Sequence, residues 1–120
     1  MAGRLTPVVL LPRFTTLSGA DTFRTIGMDV TEYQNALISI WRSPLVGMSP
    51  TFAFLFEESS DGQAYTPCAI SPSETDPGAD DETQYTVTLK KRWLRLSITL
   101  AGTNPVATCW AVGFLEERLT

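Results

Sequence analysis

Catalysis needs nucleophiles, bases or metal ligands held within reach of one another, and this chain supplies few. Its 120 residues include no histidine. That removes the commonest general base, the commonest metal ligand and the usual partner of a nucleophilic Ser or Cys. Cys68 and Cys109 lie far apart in sequence and, without histidine, make no zinc site. One bridge or two free thiols are open to them. Free thiols, packed as small apolar groups, are the expectation. No Gly-rich phosphate loop occurs. Glu57, Glu58 and Asp61 are close together, and a glycosidase needs only two carboxylates. The simpler reading is that Glu57 and Glu58 end a strand on its wet side while Asp61 makes the following turn. Asp76, Asp80, Asp81 and Glu82 offer hard oxygen ligands of the kind Ca²⁺ takes. Their spacing fits no calcium loop, and a solvated, self-repelling loop over 67–82 is expected. The reading is a protein that is not an enzyme, with no catalytic residue, metal site or cofactor.

What remains are candidates for binding. Lys90, Lys91, Arg92 and Arg95 form the one basic cluster, with Trp93 inside it. Trp93 and Arg95 share a strand face, so a guanidinium could lie over an aromatic ring. This is either a patch for a partner protein or a sugar, or a solvent face whose charges discourage edge aggregation. The second candidate is Val8, Val9, Leu10 and Leu11, an apolar run between Pro7 and Pro12. Residues 1–13 are either an extended arm that docks on a neighbour or an edge strand of the domain formed by residues 14–120. Both prolines exclude a helix there. Trp41 and Trp110 sit in apolar strands and read as core.

The elements that must carry these residues are strands. Thr51–Phe56, Trp93–Leu100 and Val106–Phe114 alternate with period two, which sends successive side chains to opposite faces. Phe52, Phe54 and Phe56 share one face, and Leu94, Leu96, Ile98 and Leu100 share another. Phe52, Phe54, Phe56, Leu94, Leu96 and Ile98, with Trp110 and Val112, are the expected core. Thr22–Met28, Ala36–Arg42 and Thr83–Leu89 add further strands. Asp29 or Thr31 is placed to cap a single helical turn. Ser43–Pro50 reads as a loop, Ser59–Gly62 as a hairpin turn and Ala101–Pro105 as a turn between two strands. About eight short strands, separated by Gly, Pro, Asp and Ser and without any sustained helical period, indicate an all-β, single antiparallel β-sandwich.

Composition bounds the partners. A net charge of −4 excludes the basic surface on which non-specific nucleic-acid binding rests. No stretch approaches the roughly 20 apolar residues of a membrane helix, and Val8–Leu11 is too short for a signal-peptide core. The chain is expected to be cytoplasmic when made and to bind neither nucleic acid nor membrane.

Ser60-Asp-Gly-Gln-Ala-Tyr65, followed by Arg92-Trp-Leu-Arg-Leu96, resembles a pattern in discoidin-type, galactose-binding-like jelly rolls. The resemblance covers roughly residues 50–100 and implies jelly-roll topology, with carbohydrate as one partner class. The Pro-containing segment Met1–Arg13, the length and the histidine-free sandwich resemble small β-sandwich proteins of tailed-phage virions, of the head-decoration or tail-associated type. That likeness implies a structural virion protein, assembled in the host cytoplasm. It would be oligomeric or held on a lattice, with capsid or other virion proteins as partners. A decoration or cement protein bridging neighbouring subunits is the leading expectation, and a carbohydrate-binding module or a tail-associated protein the alternatives.

Overall fold

The computed structural model describes residues 4–68 and 81–118. It contains eight strands: β1 (Leu5–Ser18), β2 (Asp21–Arg24), β3 (Met28–Asp29), β4 (Tyr33–Arg42), β5 (Val46–Ser59), β6 (Thr66–Pro67), β7 (Asp81–Thr88) and β8 (Trp93–Glu117). Every pairing is antiparallel. The fold is an all-β, jelly-roll-like sandwich made by curling one sheet on itself.

The curl follows from the length of β8. Its 25 residues form the spine of the molecule. Along one edge it pairs with β1 (Val106–Glu116), then β2 (Ser97–Leu100), then β3 (Trp93 and Leu94). Along the other edge it pairs with β4 (Cys109–Glu117) and then β5 (Trp93–Val106). Three lanes therefore run side by side and bend together near residues 101–106. Layer I is β1, the C-terminal half of β8, β4 and β7. Layer II is β2 with β3, the N-terminal half of β8, β5 and β6. The turn expected at Ala101–Pro105 is thus a bend inside a continuous strand, and the loop expected at Ser43–Pro50 is strand from Val46 onward. Gly47 (φ 122°) and Gly102 (φ 115°) make the bend possible. A Cβ at Gly102 would stand 2.7 Å from the Ser49 carbonyl, and one at Gly47 2.7 Å from the Asn104 carbonyl. Only glycine meets both the backbone angle and the close approach.

The core lies between the layers. Phe52, Phe54 and Phe56 of β5 and Leu94, Leu96, Ile98 and Leu100 of β8 are buried from layer II. Layer I answers with Ala36, Ile38, Ile40, Val87, Ala107, Cys109, Ala111 and Leu115. Contact across the gap is direct: the Tyr85 ring of β7 meets Phe54 at 5.4 Å and Phe56 at 6.4 Å. Six of the expected core residues are there. Trp110 and Val112 are not; they point outward, because the inward register of β8 carries Ala107, Cys109 and Ala111. Small residues on one layer leave room for the phenylalanines of the other, which keeps the interior close-packed.

Two local expectations also change. No helical turn forms after Asp29. Its carboxylate instead accepts hydrogen bonds from the Thr31 backbone N–H (3.0 Å) and hydroxyl (2.6 Å), closing a turn. Residues 5–9 and Leu11 pair with β8 over Ala111–Glu116, and after a bulge at residues 12–14 the same strand β1 runs on to Ser18. Of the acidic loop, Asp81 and Glu82 belong to β7, while Glu74, Asp76 and Asp80 lie outside the described residues.

Candidate functional site

The outer faces of the two layers are unlike each other. Layer II exposes Val46 and Met48 near the bend, but around Trp93 and Arg95 its outer face is a polar network. Glu57 Oε1 accepts from Arg95 Nε at 2.7 Å, with Arg24 Nε 3.9 Å from the same oxygen. The Arg95 guanidinium lies 3.8 Å above the Tyr65 ring. Arg92 pairs with Asp29 at 3.0 Å and lies 5.4 Å from the centre of the Trp93 ring. The ring also packs on Gly62, where a Cβ would stand 3.1 Å from it. The aromatic partner of Arg95 is thus Tyr65 rather than Trp93, and Trp93 is half-buried. Lys91 stays exposed beside this network. The Ser-x-Asp-Gly turn beneath is held by its own side chains. Ser59 Oγ accepts from the Asp61 and Gly62 amides and donates to Asp61 Oδ1. Asp61 Oδ1 accepts from the Gln63 and Ala64 amides as well. Those amide donors, Gln63 first, hold the Asp61 carboxyl down to about 2.

Layer I turns an apolar face outward. From β1 come Leu5 and Val9, from β8 Trp110, Val112 and Phe114, and from β4 Leu37 and Trp41. Leu5 (52%), Val9 (59%) and Phe114 (44%) are exposed well beyond what a water-facing strand needs. Trp41 and Trp110 are register partners on neighbouring strands, with rings stacked at 4.3 Å and 20°. Both were expected in the core. Arg13 caps the pair, its guanidinium 4.6 Å from the Trp110 ring. A shallow groove of about 450 Å³ crosses the face, with Arg13, Phe114, Val112, Leu37, Gln84 and Glu82 in its walls.

The local sequence explains how the cap forms. Between Leu11, opposite Ala111, and Thr15, opposite Cys109, β1 carries two residues more than β8 needs. Pro12 has no N–H to give the ladder, and Thr15 Oγ1 bonds back to the Pro12 carbonyl at 2.6 Å. The excess forms a bulge that drives Phe14 into the left-handed region (φ 61°), where a bulky side chain is strained. Phe14 is held edge-on to Trp110 (5.1 Å) and Trp41 (6.2 Å), yet 68% exposed. Strain kept in place to present an exposed ring is the pattern of a functional surface.

The apolar run at 8–11 divides across the sheet. Leu10 is buried in the core, Val8 and Leu11 are half-buried and pack against it, and Val9 stands out on the layer I face. A wider apolar groove of about 850 Å³ lies between β1 and the β2–β3 segment, where Ile26 is 90% exposed. Both cysteines are free thiols. Burial pushes Cys68 up to about 12, helped by Glu58, and Cys109 up to about 11. Neither is a nucleophile at neutral pH. Among the described residues no three His, Cys, Asp or Glu side chains come together as a metal site.

A scan against known protein families finds no match, and a search of curated proteins finds none either. Among solved structures, the chain is similar to the PBSX exported protein XepA (TM-score 0.64, 14% identity, covering 96% of this chain and 38% of that one). It is also similar to a chain of the infectious bursal disease virus particle (TM-score 0.65, 10% identity, covering 95% and 31%). A third likeness is to the CBM22-1 xylan-binding domain of Paenibacillus barcinonensis Xyn10C (TM-score 0.57, 9% identity, covering 99% and 98%). The chain spans less than two fifths of the first two and nearly all of the third. At such identities the likeness is one of fold: the architecture is shared by a viral particle protein and a carbohydrate-binding domain.

Proposed function

We propose that this chain is a structural protein of a virus particle, a decoration or cement component that binds and bridges neighbouring subunits, and that it performs no catalysis. The observation that carries this reading is the outer face of layer I. A strained bulge, a stacked tryptophan pair and exposed apolar side chains come together there. Apolar surface of this kind stabilises association by about 25 cal/mol per Å² removed from water, before ordering costs. A likeness in fold to a viral particle chain supports the reading. Co-sedimentation with purified particles tests it. The wild-type chain should pellet with particles at a fixed ratio to the capsid subunit, and loss of binding on Val9→Ser with Phe114→Ser would identify the face.

A second reading is a carbohydrate-binding module, favoured by the exposed Phe14 ring beside Trp41 and Trp110 and by the full-length likeness to a xylan-binding domain. In that reading the layer I aromatics, not Trp93, would bind sugar. Titration with xylo-oligosaccharides, followed by tryptophan fluorescence, separates the two. Saturable quenching abolished by Phe14→Ala supports sugar binding.

A further inference from the structure

We infer that the layer I face pairs with the same face of a second copy of this chain, about a twofold axis parallel to the strands and lying between β4 and β8. This rests on the proposed function and deepens it: the face that docks on a particle is covered by a second copy while the chain is free, and docking exchanges one partner for the other.

The register of the sheet carries the argument. Side chains on the outer face lie in rows that cross the four strands in the order β1, β8, β4, β7. One row reads Arg13, Trp110, Trp41, Glu82: Trp41 is the register partner of both Trp110 and Glu82, and Arg13 lies over Trp110. The next but one reads Pro7, Phe114, Leu37, Thr86 after the intervening Val9, Val112, Ser39, Gln84. A twofold axis along the strands exchanges β1 with the partner's β7 and β8 with the partner's β4. Each row then lies on the same row of the other copy. The cluster of Phe14, Trp110 and Trp41 meets its own copy, Phe114 meets the partner's Leu37, and Arg13 meets the partner's Glu82. The cation at one end of the row and the carboxylate at the other are complementary only under this operation, and each contact occurs twice, as an isologous interface requires. The strands of the two copies stay aligned, the arrangement in which sheets pack face to face.

The size fits. Four strands about 4.8 Å apart and roughly eight to ten residues long at about 3.3 Å each present roughly 500–600 Å² in plan, which side-chain relief brings towards the ~800 Å² per partner of a stable complex. The free edge of β1 is a poorer surface for self-association. Pro7, Pro12 and the bulge interrupt its hydrogen-bonding row, the devices that keep edges from pairing.

Sedimentation equilibrium of the full chain and its charge variants tests the pairing, with circular dichroism to show that each is folded. The wild type should be a dimer. Arg13→Glu and Glu82→Arg should each weaken it by about tenfold or more, and the double variant Arg13→Glu/Glu82→Arg should restore it to within about threefold. A monomeric wild type, or a double variant no better than the singles, overturns the inference. A dimer that binds no particle leaves this interface standing and removes the proposed function. A monomer that binds particles removes the interface and keeps the function.

Discussion

Trp41 and Trp110 stand opposite each other on β4 and β8, rings stacked at 4.3 Å, on the side of the sheet turned away from the core. The two largest side chains of layer I therefore contribute nothing to the inter-layer packing. Their place inside is taken by Cys109 and by the inner register of small residues that accommodates Phe52, Phe54 and Phe56. This inversion of size separates a core made by layer II from a surface made by layer I.

The first consequence concerns volume. Enlarging an inward small residue should overpack the space facing the phenylalanines. Ala111→Leu is expected to cost about 1–3 kcal/mol, measured by urea denaturation. The outward Val112→Thr should cost less, and equal costs would place the inward register of this strand on the other set of residues.

Core and surface separate equally well on the other half of β8. Leu96 is fully buried, and Leu96→Ala should lose about 2–5 kcal/mol. Thr99 is exposed, and its hydroxyl reaches Thr22 Oγ1 at 3.1 Å. Thr99→Ala should stay within about 1 kcal/mol of wild type. Thermal melts of the two variants check the difference.

The Ser59–Gly62 turn predicts an acid response. Asp61 is held below its ordinary value of 3.8, at about 2, first by the Gln63 amide and then by Ala64 and Ser59. Its folded-state pKa is depressed, so its stabilisation is complete above about pH 4 and is lost as pH falls through about 2. Asp29, held down by Thr31 and then Arg92, shifts in the same direction. The melting temperature of wild type should fall on acidification through this window, and that of Asp61→Ala should fall less.

Thiol chemistry supplies a fourth expectation. With Cys68 raised to about 12 and Cys109 to about 11 by burial, neither forms thiolate at neutral pH. A thiol-specific chromogenic reagent at pH 7.5 should react slowly with the folded chain and release two equivalents after unfolding, without any reductant. Rapid reaction in the native state, or no release after unfolding, would contradict two free thiols of low reactivity.

How far the sequence could be read follows from what each signal reports. Period two along Thr51–Phe56 and Trp93–Leu100 reports which faces are apolar, and there one register is plainly larger and more apolar than the other. The strands and their inward faces were legible for that reason. Along Val106–Phe114 both registers are apolar: Ala107, Cys109 and Ala111 alternate with Trp110, Val112 and Phe114. Hydrophobicity cannot choose between them. Complementarity to the opposing layer chooses, and that depends on residues distant in sequence. Ala101–Pro105 carries turn residues because the strand bends there, and a bend and a turn ask for the same glycine and asparagine geometry. Arg13 and Phe14 gave no signal as a site, since the bulge that presents them arises from the mismatch in length between β1 and β8. Pro12 followed by a charged and an aromatic residue is the one local trace of it.

The central claim is that the layer I face joins this chain to a particle. Gradient-purified particles from the source of the chain, with the chain and capsid subunits quantified together by mass spectrometry, test it most directly. The account predicts a fixed ratio of this chain to the capsid subunit, abolished for a folded chain carrying Val9→Ser and Phe114→Ser. Particles that lack the chain altogether, or that retain the double variant at the wild-type ratio, would contradict it.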